Sequence, residues 1–230
     1  MKLHNIVGGS REDLEAKKYT IGVGISLGNK WFTSDNILNL IKWSLDYSKD
    51  RVPVYVADSI HSVNIEVRNN KSPKNASRIA DEKGTQILNE VRKKAGQELS
   101  AEEFNRLLFV KWKEIVDEKY QSKIEYLYSL RENNPEFGKA IENLVRNFTS
   151  QEENNSFTDS EIKRLGDYII EELPEIIGRV LIGGVVCDAY AYPFSGEMVE
   201  FVNKIQKGLI FPEIREKIMD TEPKVFLEVR

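Results

Sequence analysis

The stretch from Tyr19 to Ala57 constrains the fold of this chain more than any other. Tyr19-Thr-Ile-Gly-Val-Gly-Ile25 is short, apolar and β-branched, and predicts a buried strand. It runs straight into Ser26-Leu-Gly-Asn29. A helix is expected next, capped near Thr33–Asp35, with Ile37, Leu40, Ile41 and Leu45 as its apolar stripe. Val52–Ala57 reads as a second buried strand. Strand, helix, strand is the crossover unit of a parallel sheet, so the expected class is α/β.

The rest of the chain extends that pattern. Residues 1–18 are polar and predict a flexible N-terminal arm, leaving 19–230 as one domain of ordinary size. Residues 68–75, with Pro73, read as a loop, and 77–95 as a helix stopped by Gly96. Ser100 with Glu103 is a capping-box pair. Leu107–Trp112 is expected as a third strand, with helices at about 114–131 and 135–149. Residues 151–157 read as a polar linker, and Thr158 with Glu161 opens another capped helix that Pro174 ends or kinks. Val180–Ala189 predicts a strand, 197–207 a helix and 224–229 a last strand. The single cysteine, Cys187, forbids an internal disulfide. No leader-like start and no apolar run of membrane-spanning length are seen, which points to a cytoplasmic protein without a membrane partner.

Gly24-Ile-Ser-Leu-Gly28 spells G-x-S-x-G between a strand and a helix. Such a turn exposes a serine oxygen, because the flanking glycines remove bulk. A serine hydrolase of small esters is one reading. It requires a histidine base, and the chain holds only His4, before the serine, and His61, just past the second strand. A dinucleotide loop is another reading, since Gly22-x-Gly24-x-x-x-Gly28 approximates that spacing. A third is that the glycines serve close packing alone. A catalytic serine without histidine suits a substrate that arrives activated, with a carboxylate or tyrosines handling protons.

Tyr168 and Glu172 stand i, i+4, so they share a helix face suited to holding an ammonium group. Glu171 points to another face. Tyr190-Ala-Tyr192-Pro193 closes a predicted strand, which places Tyr192 at the edge where parallel sheets bind ligands. Nothing local singles out Tyr120. Each of these tyrosines is also explained by core packing.

The net charge is −4, yet residues 68–94 hold eight Lys or Arg against three Asp or Glu. Arg78, Arg92, Lys93 and Lys94 belong to this basic helix, which has the charge pattern of a local polyanion contact. It is equally the pattern of a solvated helix face. The segment has no aromatic residue, so stacking on single-stranded bases is not expected there.

Together these segments resemble one family. Gly24-Ile-Ser-Leu-Gly-Asn29, followed by Trp31-Phe32, resembles the nucleophile segment of cyclodipeptide synthases. Tyr168-Ile-Ile-Glu-Glu172-Leu-Pro174 resembles their Tyr-x-x-x-Glu motif. Tyr192, 20 residues after Glu172, and Tyr120, 17 residues before Phe137, fall where two further active-site tyrosines lie. The resemblance spans roughly 18–230. It implies a single Rossmann-like domain with a mostly parallel sheet, similar to the catalytic domain of class I aminoacyl-tRNA synthetases. It further implies synthesis of a cyclic dipeptide from two aminoacyl-tRNAs used in sequence, without ATP, cofactor or metal, by a monomer. By the same resemblance Ser26 would carry the first aminoacyl group, and Tyr168 and Glu172 would hold its amino group. Tyr192 and Tyr120 would assist, Gly24 and Asn29 would border the substrate, and the basic helix would hold tRNA. Asn29 together with Tyr192-Pro193 combines marks of the family's two groups. A tRNA-binding module without chemistry is the alternative from another class.

Overall fold

The computed structural model describes residues 1–150, 156–194, 196–219 and 222–230. Strand β1 (Leu3–Val7) and helix α1 (Arg11–Glu15) come first, then β2 (Ile21–Ile25), α2 (Ser34–Tyr47), β3 (Val52–Val56) and α3 (Asp58–Asn69). Next are α4 (Pro73–Glu98), α5 (Ala101–Asn105) and β4 (Leu107–Lys111). A 3-10 turn at Trp112–Glu114 leads to α6 (Glu118–Asn133), α7 (Pro135–Ser150) and α8 (Asp159–Ile177). The chain ends with β5 (Val180–Ile182), β6 (Val185–Cys187), β7 (Ala189–Tyr192), α9 (Glu197–Gln206), α10 (Pro212–Ile218) and β8 (Val225–Val229).

The central sheet has the order β1-β8-β7-β2-β3-β4. Its pairs from β8 to β4 are parallel, and β1 is antiparallel on the β8 edge. Every residue of β2 and β3 is buried, because helices cover both faces. One core gathers Ile37, Leu40, Ile41, Leu88 and Val91 from α2 and α4. The other gathers Leu127, Phe137, Ile141, Ile170 and Ile205 from α6 to α9. From β2 the chain proceeds outward to β3 and β4 and later returns to β7 on the other side of β2. The crevice at the carboxyl ends of β2 and β7 is therefore the topological switch point, where doubly wound sheets bind their ligands.

Several expected elements are corrected. The N-terminal arm is not loose: β1 joins the sheet and Leu14 of α1 is 1 % exposed. Its partner β8 lies at the far end of the chain, so no local pattern announces the pairing. Helix α3 fills residues given no element and runs to Asn69, and its left-handed cap at Asn70 (φ 47°) hands over to Pro73 at the first turn of α4, so the loop expected at 68–75 shrinks to the residues between the two helices. Gly96 does not stop α4, which continues to Glu98. Pro174 lies inside α8, which runs on to Ile177. The predicted strand at Val180–Ala189 is a β5–β6 hairpin followed by β7, reversing at Gly183 and Gly184, both at positive φ. Both capping boxes form as expected. Most of the expected linker at 151–157 lies outside the described residues.

Candidate active site

Ser26 is the first residue beyond β2, and Tyr192 is the last of its parallel neighbour β7. The turn after β2 is held by its own backbone: the Asn29 N–H donates to the Ser26 carbonyl at 3.3 Å. The Asn29 side chain fixes the next step, accepting from the Trp31 N–H at 2.9 Å. Asn36, in the first turn of α2, donates to the Trp31 carbonyl at 2.7 Å. The serine is thus presented by a hydrogen-bonded loop between a buried strand and a capped helix.

Two phenols meet it. The Ser26 hydroxyl is in hydrogen-bonding reach of the phenols of Tyr168 and Tyr192. The Asn29 side chain lies near the Tyr192 phenol as well. From α8, the Tyr168 hydroxyl donates to Glu172 Oε1 at 3.4 Å. The expected i, i+4 pair therefore faces the serine, and Glu171 points elsewhere, accepting from the Tyr128 hydroxyl at 3.2 Å. Burial, with the neighbouring Glu175 carboxylate adding to it, pushes Glu172 from 4.5 up to about 8, against the pull of the Tyr168 hydrogen bond. Burial also raises Tyr168 well above the ordinary phenol value, and Tyr192 to about 12.

Below Glu172 lies a buried polar cluster that the sequence reading does not contain. Glu175 is 1 % exposed and Lys224, just before β8, is 0 % exposed. The Lys224 ammonium pairs with Glu175 Oε1, and the Tyr55 hydroxyl donates to the same oxygen at 2.5 Å. The available signal was a lone acid inside Leu173-Pro-Glu-Ile-Ile177, seven residues after Tyr168 and so on its helix face. Its lysine partner stands just before the last strand and has no sequence link to it.

Among the described residues no hydrogen bond links Tyr120 to Ser26. Tyr120 is buried on α6, and its hydroxyl donates to the Glu171 carbonyl at 2.8 Å. It thus holds the backbone of α8 in the turn that carries Glu172. Gly24 does not border open space either. A Cβ there would stand 2.4 Å from Cε2 of Tyr190, and one at Gly22 2.6 Å from the Cys187 sulfur. Gly24 lets Tyr190 lie on the strand, where it stacks on Tyr192 at 5.2 Å between centroids, and Gly22 leaves room for Cys187 and Tyr55.

Of the four basic residues expected to face a polyanion, all on α4, Arg78 pairs with Glu82 at 2.6 Å and Arg92 lies 4.9 Å over the Phe109 ring. Lys94 pairs with Asp35, whereas exposed Lys93 has no carboxylate partner among the described residues. His61 packs against the nucleophile turn, its Cε1 3.1 Å from where a Gly28 Cβ would be. Burial, with Lys83 and Arg68 nearby, pulls the imidazole down to about 4, so it stays neutral.

The cyclodipeptide synthase family model matches residues 9–211. No curated protein sequence matches the chain significantly. Solved structures share the fold at low identity. A cyclodipeptide synthase from Bacillus thermoamylovorans aligns with TM-score 0.76 and 18 % identity over 98 % of this chain and 95 % of that one. One from Mycobacterium tuberculosis, described as related to type I tRNA synthetases, aligns at 0.69 and 17 % over 96 % and 90 %. One from Candidatus Glomeribacter gigasporarum, bound to Phe-tRNAPhe, aligns at 0.53 and 17 % over 91 % and 88 %. With its family model covering most of its length and its fold shared end to end, the chain belongs to the cyclodipeptide synthase family.

Proposed function

We propose that the protein makes a cyclic dipeptide from two aminoacyl-tRNAs in a ping-pong sequence with Ser26 as the acylated residue. The observation that carries this is the convergence of Ser26, Tyr168, Glu172 and Tyr192 at the switch point of the sheet. Ser26 Oγ attacks the ester carbonyl of the first aminoacyl-tRNA. The Oγ–C bond forms, the bond from that carbon to the ribose oxygen breaks, and the serine proton ends on the ribose oxygen. The ester is already activated, which suits a serine whose neighbours are phenols rather than an imidazole. Tyr168 and Glu172 hold the amino group of the bound residue.

The amine of the second aminoacyl-tRNA then attacks the seryl ester, restoring Ser26 and leaving a dipeptidyl-tRNA. Attack of the free amino group on the remaining ester closes the six-membered ring and releases the tRNA. Both steps take a proton from an attacking amine. A carboxyl whose pKa is raised to about 8 is matched to that exchange near neutral pH. Exposed cations of α4, with Lys93 foremost and Arg78, Arg92 and Lys94 behind it, hold tRNA phosphates. Tyr120 acts through the position of α8.

Incubation with aminoacyl-tRNAs, followed by mass spectrometry of the protein and of small products, tests this reading. An aminoacyl adduct on Ser26 and a cyclic dipeptide are expected. Turnover of simple esters without tRNA would instead favour a hydrolase, and tRNA binding without adduct or product would leave a binding module.

A further inference from the structure

The Trp31-Phe32 pair follows the nucleophile turn, and its indole has no place in the acyl-transfer steps above. In the fold it joins an aromatic chain that starts at the serine and ends in solvent. Tyr192, whose hydroxyl meets Ser26, contacts Phe32 at 5.3 Å and Phe194 at 6.3 Å between ring centroids. Trp31 closes the group, edge-on to Phe32 at 5.1 Å and to Phe194 at 6.3 Å. Phe32 is buried and Trp31 half-buried, but Phe194 is 42 % exposed.

Resting on the proposed aminoacyl-tRNA chemistry, we propose that Trp31 and Phe194 form a stacking platform for the terminal base of the tRNA acceptor strand. The ester that Ser26 attacks is carried on the terminal ribose, so the base on that ribose must lie beside the serine during acyl transfer. Phe194 is the exposed ring of this aromatic group, and half-buried Trp31 stands edge-on beside it. A single-stranded base needs a flat apolar face with one side open, which is how aromatic side chains bind unpaired nucleotides. An amino-acid side chain instead calls for an enclosed pocket. The Trp31 backbone is fixed by Asn29 and Asn36, so the platform is set before substrate arrives. It also supplies the aromatic surface missing from the basic helix, which leaves α4 to meet phosphates and the loops after β2 and β7 to meet the base.

The test uses uncharged tRNA whose terminal adenosine is replaced by 2-aminopurine riboside, whose fluorescence is quenched on stacking. Quenching is expected with the wild-type chain and its loss with Phe194→Ala, while Phe194→Trp retains it. Stacking is worth about 1–3 kcal/mol per base, so Phe194→Ala should raise KM for aminoacyl-tRNA about tenfold. kcat should stay within about twofold, and two tRNAs bearing different amino acids should be affected alike. Because Phe194 is exposed, its replacement should leave the fold intact, which thermal unfolding checks. Binding without quenching in the wild type, or a KM effect confined to one amino acid, would overturn the platform while leaving the seryl mechanism standing. Absence of tRNA binding altogether would overturn both.

Discussion

Glu172→Gln should make this protein more stable, and more so as pH rises. The carboxyl is raised from 4.5 to about 8 in the fold by burial and by Glu175. The folded state therefore keeps a proton that the unfolded chain releases. Stability falls wherever the folded state binds more protons, so this group erodes it as pH climbs from about 4.5 through 8. One pKa unit is worth about 1.4 kcal/mol, which puts the cost near 3 kcal/mol at pH 7 and under about 1 kcal/mol at pH 5. Glutamine cannot ionise, yet keeps an oxygen for the Tyr168 hydroxyl. Urea unfolding of both proteins at pH 5, 6, 7 and 8 reads the effect directly. The curves should nearly coincide at pH 5 and separate by about 3 kcal/mol at pH 7, or roughly 6–12 °C in Tm for a chain of this size. Product formation should be lost in the same variant. A stability difference that stays flat across the range, or a wild type that gains on the variant as pH rises, would refute the assignment of a raised carboxyl at this position.

Other expectations follow from the same geometry. Glu175→Gln removes the charge that helps hold Glu172 protonated, so the Glu172 carboxyl-carbon NMR titration should move to lower pH; an unmoved titration would dismiss the coupling. Lys224→Met strands a buried carboxylate and should cost about 3–5 kcal/mol, while the double variant Glu175→Gln/Lys224→Met should recover most of it. Strictly additive losses in denaturation would show that the two are not a pair. Ser26→Ala should abolish the aminoacyl adduct and the cyclic product with tRNA affinity kept within about twofold. Lys93→Ala should flatten the salt dependence of tRNA binding by about one slope unit. Lys94→Ala should do less, because Lys94 is already engaged by Asp35, and equal effects would contradict that ranking.

Local pattern carried the elements whose causes are local. β2, α2 and β3 were legible because their apolar spacing, the Thr33 cap and the glycines lie within one stretch of chain. Tyr168 and Glu172 were legible as one face of a helix, and Ser26 as the residue ending a strand, because periodicity and spacing are sequence properties. Tertiary structure decided the rest through contacts between distant segments. β1 is a strand because β8 supplies its ladder more than 200 residues later. Tyr120 props the backbone of α8, and Gly24 is a glycine because Tyr190 lies across it. The proton on Glu172 depends first on burial and then on Glu175, which is held by Tyr55 from the second parallel strand and by Lys224 from the end of the chain. Burial and charge act through space, so a residue's chemistry in this site is set by neighbours that its own stretch of sequence does not name.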